Sequence, residues 1–198
     1  TAIRQSDFKR IIAYTSIAHM NLVMLGIFSF NTIGIEGALL QSISHGFVAS
    51  ALFLIIGVVY DRHHTRMVKY FGGLVHVMPI YIFIFLFFTL ANIGLPGTSS
   101  FVGEFLILVG SFKINKSITF FGAFGMVLGG CYALWLFNRI AYGNLKVQYS
   151  KSFIDLNKKE FLIFLPLVIG TLILGLLPDI ILTSMHMSVN KLIEFIYF

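Results

Sequence analysis

Glu104, His19 and His45 are the side chains in this sequence whose type and setting could move protons. Glu104 lies in Phe101-Val102-Gly103-Glu104-Phe105-Leu106-Ile107-Leu108, a strongly apolar stretch. An ionisable group inside a hydrocarbon-spanning segment is costly, so it marks ion or proton handling by default. His19 falls about ten residues, roughly 15 Å, into the first apolar run, near mid-bilayer. His45, in Gln41-Ser42-Ile43-Ser44-His45-Gly46, reaches a similar depth from the other side. Neutral imidazole both gives and takes a proton near neutrality, so two at one depth suit a relay through water. Tyr14, Thr15, Ser16, Gln41, Ser42 and Ser44 are polar neighbours that could hold such waters.

Blander readings of the same residues stand beside this one. A buried histidine in a membrane bundle can serve only as an interhelical hydrogen bond. Paired histidines facing one cavity can also ligate haem axially, although nothing else here suggests a porphyrin site. Adjacent His63 and His64 beside Arg62 and Arg66 do not point the same way on a helix, so they read as a solvated basic loop and not a metal site. His76 and His186 sit near span ends and read as interfacial. No metal or cofactor ligand set emerges, and the glycine pairs and many Phe read as packing.

The elements that must position these groups follow from composition. Of 198 residues, 58% are hydrophobic and 11% charged, with 22 Phe and a mean hydropathy of +0.91. Soluble domains carry about 25% charged residues, so this chain reads as an all-α integral membrane protein whose main solvent is the lipid bilayer. Its formal charge of +6 is spread between apolar runs and forms no single patch, which excludes nucleic acid as the natural partner. Cys131 is alone and permits no internal disulfide. No signal peptide is visible, and the polar start at Thr1 reads like a connection between helices, as in the later part of something longer.

A helical crossing needs about 20 apolar residues. Five stretches qualify within a single membrane domain over residues 1–198: about 11–30, 37–60, 77–112, 118–137 and 161–177, followed by an amphipathic tail at 179–198. The third is too long for one regular crossing and holds Gly94-Leu95-Pro96-Gly97-Thr98-Ser99-Ser100 in its middle. It is either two short crossings or one discontinuous helix broken near 94–99. Read as one broken crossing, it puts eleven of the 14 Lys and Arg on one side, Lys146 and Lys151 among them. The positive-inside bias favours that reading, with the N-terminus on the matrix or cytoplasmic side and the C-terminus opposite. The second half-helix would begin near Thr98 to Ser100 with a hydroxyl cap. Glu104 would lie in its first turns, where dipole and burial act on the carboxyl in opposite senses.

Several motifs then fall in a familiar order: Ser6-Asp7-Phe8-Lys9-Arg10 through Ser16-Ile17-Ala18-His19-Met20, Ser44-His45-Gly46, Leu52-Phe53 through Tyr60-Asp61-Arg62, Gly72-Gly73-Leu74, and Leu95-Pro96-Gly97-Thr98-Ser99-Ser100-Phe101-Val102-Gly103-Glu104-Phe105. Residues 1 to about 142 resemble, in close register, the antiporter-like membrane subunits of respiratory NADH:ubiquinone oxidoreductase (complex I). These share their fold with subunits of cation/proton antiporters. The likeness is greatest to the type with Glu, where the others carry Lys, at position 104.

The resemblance implies the second half of an antiporter-like bundle and a proton-translocating role in the membrane arm. Glu104 would be the protonatable acid of the broken helix near the exit half-channel, and His19 and His45 would continue a central hydrated axis. Lys9 would be an interfacial base. The redox reaction, with its NADH, FMN, iron–sulfur clusters and ubiquinone, would lie elsewhere in the complex. The chain would reside in the mitochondrial inner membrane or a bacterial cytoplasmic membrane. The earlier helices of such a bundle are absent, so a separate polypeptide is expected to carry them, besides other membrane-arm subunits as partners. Glu104, with no partner expected inside this chain, would meet a lysine across that contact. A cation/proton antiporter subunit, a haem-binding membrane anchor and a purely structural subunit remain as alternatives.

Overall fold

The structure, a computed structural model, describes residues 1–145 and 154–197, and every described element is helical. Lys146, Lys151 and the last residue of the expected tail, Phe198, lie outside the described residues. Among the described residues seven α-helices follow in order: α1 Phe8–Ile27, α2 Thr32–His63, α3 Pro79–Ile93, α4 Ser99–Ile114, α5 Lys116–Ala141, α6 Lys158–Leu176 and α7 Asp179–Tyr197. By length and composition, α1, α2, α5 and α6 can each cross a membrane. The long stretch at 77–112 divides into α3 and α4, of 15 and 16 residues, with Gly94 to Thr98 between them. The expected tail is a 19-residue helix, α7. It is tied to α2 by His186 Nδ1 at 2.6 Å from Glu36 Oε1.

Local chemistry explains the boundaries. Asp7 caps α1, accepting from the Lys9 backbone N–H at 3.0 Å. The Asn31 side chain caps α2 by accepting from Gly34 N–H at 2.6 Å, and its Nδ2 donates to the Gly110 carbonyl of α4 at 2.7 Å. One amide therefore starts α2 and fixes where α4 lies against it. In a lipid-exposed bundle, close approach of backbones at small residues supplies much of the packing energy. The α2–α4 contact is of this kind: a Cβ on Gly110 would stand 2.5 Å from Gly34 Cα, and one on Gly37 would stand 2.7 Å from Leu106 Cβ.

α3 ends at Gly94, whose φ of 83° suits glycine. Gly94 N–H donates to the Ala91 carbonyl and Leu95 N–H to the Leu90 carbonyl, the Schellman pattern. The expected hydroxyl cap of α4 is not formed. Thr98 occupies the cap position, but its Oγ1 donates to the Leu95 carbonyl at 2.7 Å, so the turn itself uses the hydroxyl. Gly175 of α6 closes on the Gly97 carbonyl and so backs the break.

Two apolar clusters result. The larger joins Phe8, Ile55, Tyr81, Phe85, Phe137 and Phe164 of α1, α2, α3, α5 and α6; the smaller holds Leu22, Val23, Ala38 and Ile107. Between them in register lie the polar residues of α1, α2 and α4.

At the end where α2 stops, Arg62 of the expected solvated basic loop is instead half-buried in a polar clasp, while His64 is exposed. Arg62 donates to Glu160 Oε2 at 2.7 Å and to the Asp155 carbonyl at 3.1 Å. Glu160 also accepts from Asn157 N–H in a capping box on α6. The Asp155 carboxylate accepts from Ile80 and Tyr81 N–H at 3.0 and 3.1 Å, capping α3 from a distant loop. Met78, at the cap position, offers no side-chain acceptor. Asp155→Ala should therefore lower the stability of the detergent-extracted protein by about 1 kcal/mol, the usual worth of a cap. Asp155→Asn, with one acceptor oxygen where the carboxylate uses two, should lose one of the two bonds and fall between the parent and Asp155→Ala. Thermal unfolding of the two variants side by side checks this.

Candidate proton-exchange site

Glu104 is the sixth residue of α4, beyond the first turn where a helix dipole acts most strongly. Direct donors hold it instead. His19 Nδ1 of α1 lies 3.1 Å from Oε1, and Gln41 Nε2 of α2 donates to the same oxygen at 3.2 Å. The carboxyl is 2% exposed. The expectation that Glu104 has no partner within this chain is therefore wrong. The reason is register: α1 and α2 each present a polar group at the depth where α4 presents its acid. His45 follows Gln41 by one helical turn, and its ring centroid is 5.4 Å from that of His19. The three residues expected to carry the chemistry thus meet in one cluster, with Gln41 as a fourth.

Close backbone approach builds the cluster. A Cβ on Gly103 would stand 2.7 Å from Gln41 Oε1, so α4 can lie against the Gln41 side chain only with glycine there. A Cβ on Gly94 would stand 2.6 Å from Glu104 Oε2. Gly94 is thus required twice, for the left-handed end of α3 and for room beside the acid.

Glu104 and His19 also line a cavity of about 300 Å³ between α1, α3 and α5. Asn21, Asn92 and Tyr132 give it further polar groups, and α5 contributes Gly125 and Gly129 as an open wall. It has room and polarity for several waters. Asn92 and Tyr132 were not singled out by sequence. Asn92 could have been, as the one amide in the apolar run before the break; Tyr132 carried no signal, because only the fold brings it to the cavity that Glu104 lines. Lys9 is exposed at the start of α1, away from this cluster.

The chemistry open to the group is proton exchange. With both ring nitrogens of His19 protonated, the pair is an imidazolium and a carboxylate in hydrogen-bonding contact; passing the Nδ1 proton to Oε1 leaves a neutral imidazole and a neutral carboxylic acid. Such a pair gains or loses charge separation by moving one hydrogen over a short distance, and the cavity provides exchange with water.

A bundle of membrane helices around a buried, protonatable carboxyl defines a class of ion- or proton-handling membrane proteins. Residues 1–131 match the family described as NADH:quinone oxidoreductase/Mrp antiporter, transmembrane region, and the chain belongs to that family. It is 57% identical over 194 residues to NADH-ubiquinone oxidoreductase chain 4 of Marchantia polymorpha, covering 98% of this chain and 39% of that one. It is 48% identical to NADH-quinone oxidoreductase subunit M of Rhodobacter capsulatus, covering 98% and 38%. In fold it is similar to a chain of respiratory complex I from Thermus thermophilus, with a TM-score of 0.89 and 28% identity over 98% of this chain and 40% of that one. A chain of the Mrp complex from Dietzia sp. shares the fold at a TM-score of 0.84 and 18% identity, covering 97% and 44%. The chain spans about two fifths of the length of these relatives.

Gly94→Ala should push the Glu104 carboxyl out of its place and strain the turn by about 1–2 kcal/mol. An experimental structure of the variant should show the His19–Glu104 contact lengthened beyond hydrogen-bonding distance. An unmoved carboxyl would refute the double requirement.

Proposed function

We propose that this chain supplies the exit-side half of a proton channel in the membrane arm of respiratory complex I, with Glu104 exchanging protons and His19 and His45 relaying them. The observation that carries this reading is the 3.1 Å contact between His19 and the buried Glu104 at the edge of a polar cavity. The likeness to chain 4 and subunit M proteins supports the assignment to complex I. Driving energy comes from redox chemistry on other subunits, and the chain itself contributes no NADH, FMN, iron–sulfur or ubiquinone site.

In this reading the chain makes five crossings within one membrane domain: α1, α2, α3 with α4, α5, and α6. The continuous sequence of two half-length helices about a Schellman turn supports counting α3 and α4 as one broken crossing. Broken helices of this kind bring irregular backbone to a wet, protein-lined depth. The excess of Lys and Arg on one side puts the N-terminus on the matrix or cytoplasmic side and α7 on the other. A mitochondrial inner membrane is the proposed location, by likeness to the mitochondrial-type chain 4 relatives.

A separate polypeptide bearing the remaining helices of the bundle, together with neighbouring membrane-arm subunits, completes the assembly. The large apolar side chains left exposed on α1, such as Ile17 and Met24, suit such a partner. A lysine reaching Glu104 from it would enter through the cavity.

Glu104→Gln keeps the shape and removes the exchangeable proton. The assembled complex should lose at least about tenfold in proton translocation, since a positioned acid or base contributes factors of a hundred or more, while subunit content stays unchanged. Proton uptake into sealed vesicles during NADH oxidation reads this; normal pumping at normal turnover would sink the assignment. The shared fold of the Mrp chain favours one second reading, a cation/proton antiporter subunit. Loss of growth under sodium stress in a deletion strain, with respiration intact, would select it instead.

A further inference from the structure

Gln41 is buried to 1% exposure, and its amide is half used. Nε2 donates to Glu104 Oε1 at 3.2 Å, while Gln41 Oε1 is buried without a hydrogen-bond partner. A buried acceptor left unmade is costly. The Ser44 hydroxyl, one turn along the same face of α2, is also buried without a partner. The unpartnered Gln41 oxygen belongs to the same amide that holds Glu104.

The donor and acceptor inventory decides what this means. A charged carboxylate only accepts, so the Gln41 NH2 group faces it correctly. When the proton passes from His19, its Nδ1–H bond breaks and the Glu104 Oε1–H bond forms; the two charges cancel and nothing else is consumed. Oε1 is then a hydroxyl that must donate, and it faces a group that also donates. A rotation of the Gln41 amide by half a turn places its carbonyl where the NH2 stood and gives the hydroxyl its acceptor. The turned NH2 then points toward the side where Oε1 had stood unpaired.

We propose that Gln41 is a positioning residue whose amide reverses with each protonation of Glu104, stabilising both states of the acid in turn. This rests on the reading of Glu104 as a proton-exchanging group and adds a residue through which that exchange is tuned. The titratable groups facing the acid among the described residues are His19 of α1, His45 of α2 behind it, and Tyr132 of α5 across the cavity. Gln41 hydrogen-bonds Glu104 through an amide that offers both a donor and an acceptor without itself titrating.

Infrared difference spectra of the whole complex, recorded as pH is stepped, follow the protonated carboxyl band, which Glu104→Gln identifies by its loss. In the parent complex, an amide carbonyl band of Gln41 should shift with the same midpoint. Gln41→Met keeps length and burial but removes both ends of the amide. That amide change should vanish, and the carboxyl midpoint should rise by about one pH unit, because the charge-assisted hydrogen bond lost from the carboxylate is stronger than the neutral one lost from the protonated acid. An unchanged midpoint in Gln41→Met would reduce Gln41 to packing and overturn the proposal. Where Gln41→Met fails to accumulate, Gln41→Glu serves: two carboxyls at hydrogen-bonding distance titrate in two steps, and a single unaltered step would overturn the proposal equally. Infrared reads protonation and not pumping, so a complex that pumps normally without Glu104 defeats the proposed function and leaves the Gln41 result standing on its own.

Discussion

Hiding one carboxyl group from water is the constraint around which this fold is arranged. A buried charge is tolerated when it is paired and hydrogen-bonded, and here two helices deliver the partners, His19 from α1 and Gln41 from α2. Neither helix can do so unless α4 lies almost backbone to backbone against α2. The glycines at 34, 37, 103 and 110 allow that approach, and the Asn31 amide fixes the sliding register by gripping both helices. The break before α4 has the same purpose. Gly94 ends α3 in a left-handed turn and leaves beside the acid the space that any side chain would fill.

The energetics divide along the helices. At one end, aromatic and aliphatic side chains from five helices form the larger apolar cluster, anchored by the Arg62–Glu160 pair and by Asp155 on the start of α3. Toward the other end, the apolar contact between α1, α2 and α4 is smaller, with Leu22, Val23, Ala38 and Ile107. The polar layer lies between, held in position by packing on both sides while opening sideways into the cavity. The proposed proton exchange needs both fixed geometry and access to water, and the asymmetry of the core is compatible with both.

Much of this was legible in the sequence because membrane solvation is a severe filter. Apolar runs had to be helices, and a Glu among Phe, Val, Leu and Ile had to have a reason. Glu104, His19 and His45 could be selected on that ground alone, and the break at Gly94 followed from Gly and Pro chemistry. What could not be read was partnership. Glu104 was expected to lack a partner in the chain because no base is near it in sequence, yet His19 is 85 residues away and adjacent in space. Gln41 was visible only as a polar neighbour of His45. Its contact with Glu104 depends on the α2–α4 register, which Gly103 and Asn31 set and no periodicity reveals. Arg62 and Asp155 were misread or missed for a related reason: side chains near helix ends look solvated until a distant loop returns to cover them.

The identity of the acid itself follows from the company it keeps. His19 can donate or accept at a ring nitrogen according to its tautomer, and Gln41 can do either according to the orientation of its amide. A carboxyl has the same duality, accepting when charged and donating when neutral, so all three can exchange roles in concert without leaving a permanent mismatch. A lysine ammonium only donates, and in this setting it would hold both neighbours in their accepting states until it lost its proton. The surroundings of Glu104 are therefore matched to a group that can alternate between acceptor and donor, and in the proposed exchange a proton moving on and off it would change the direction of hydrogen bonds without requiring the helices to move.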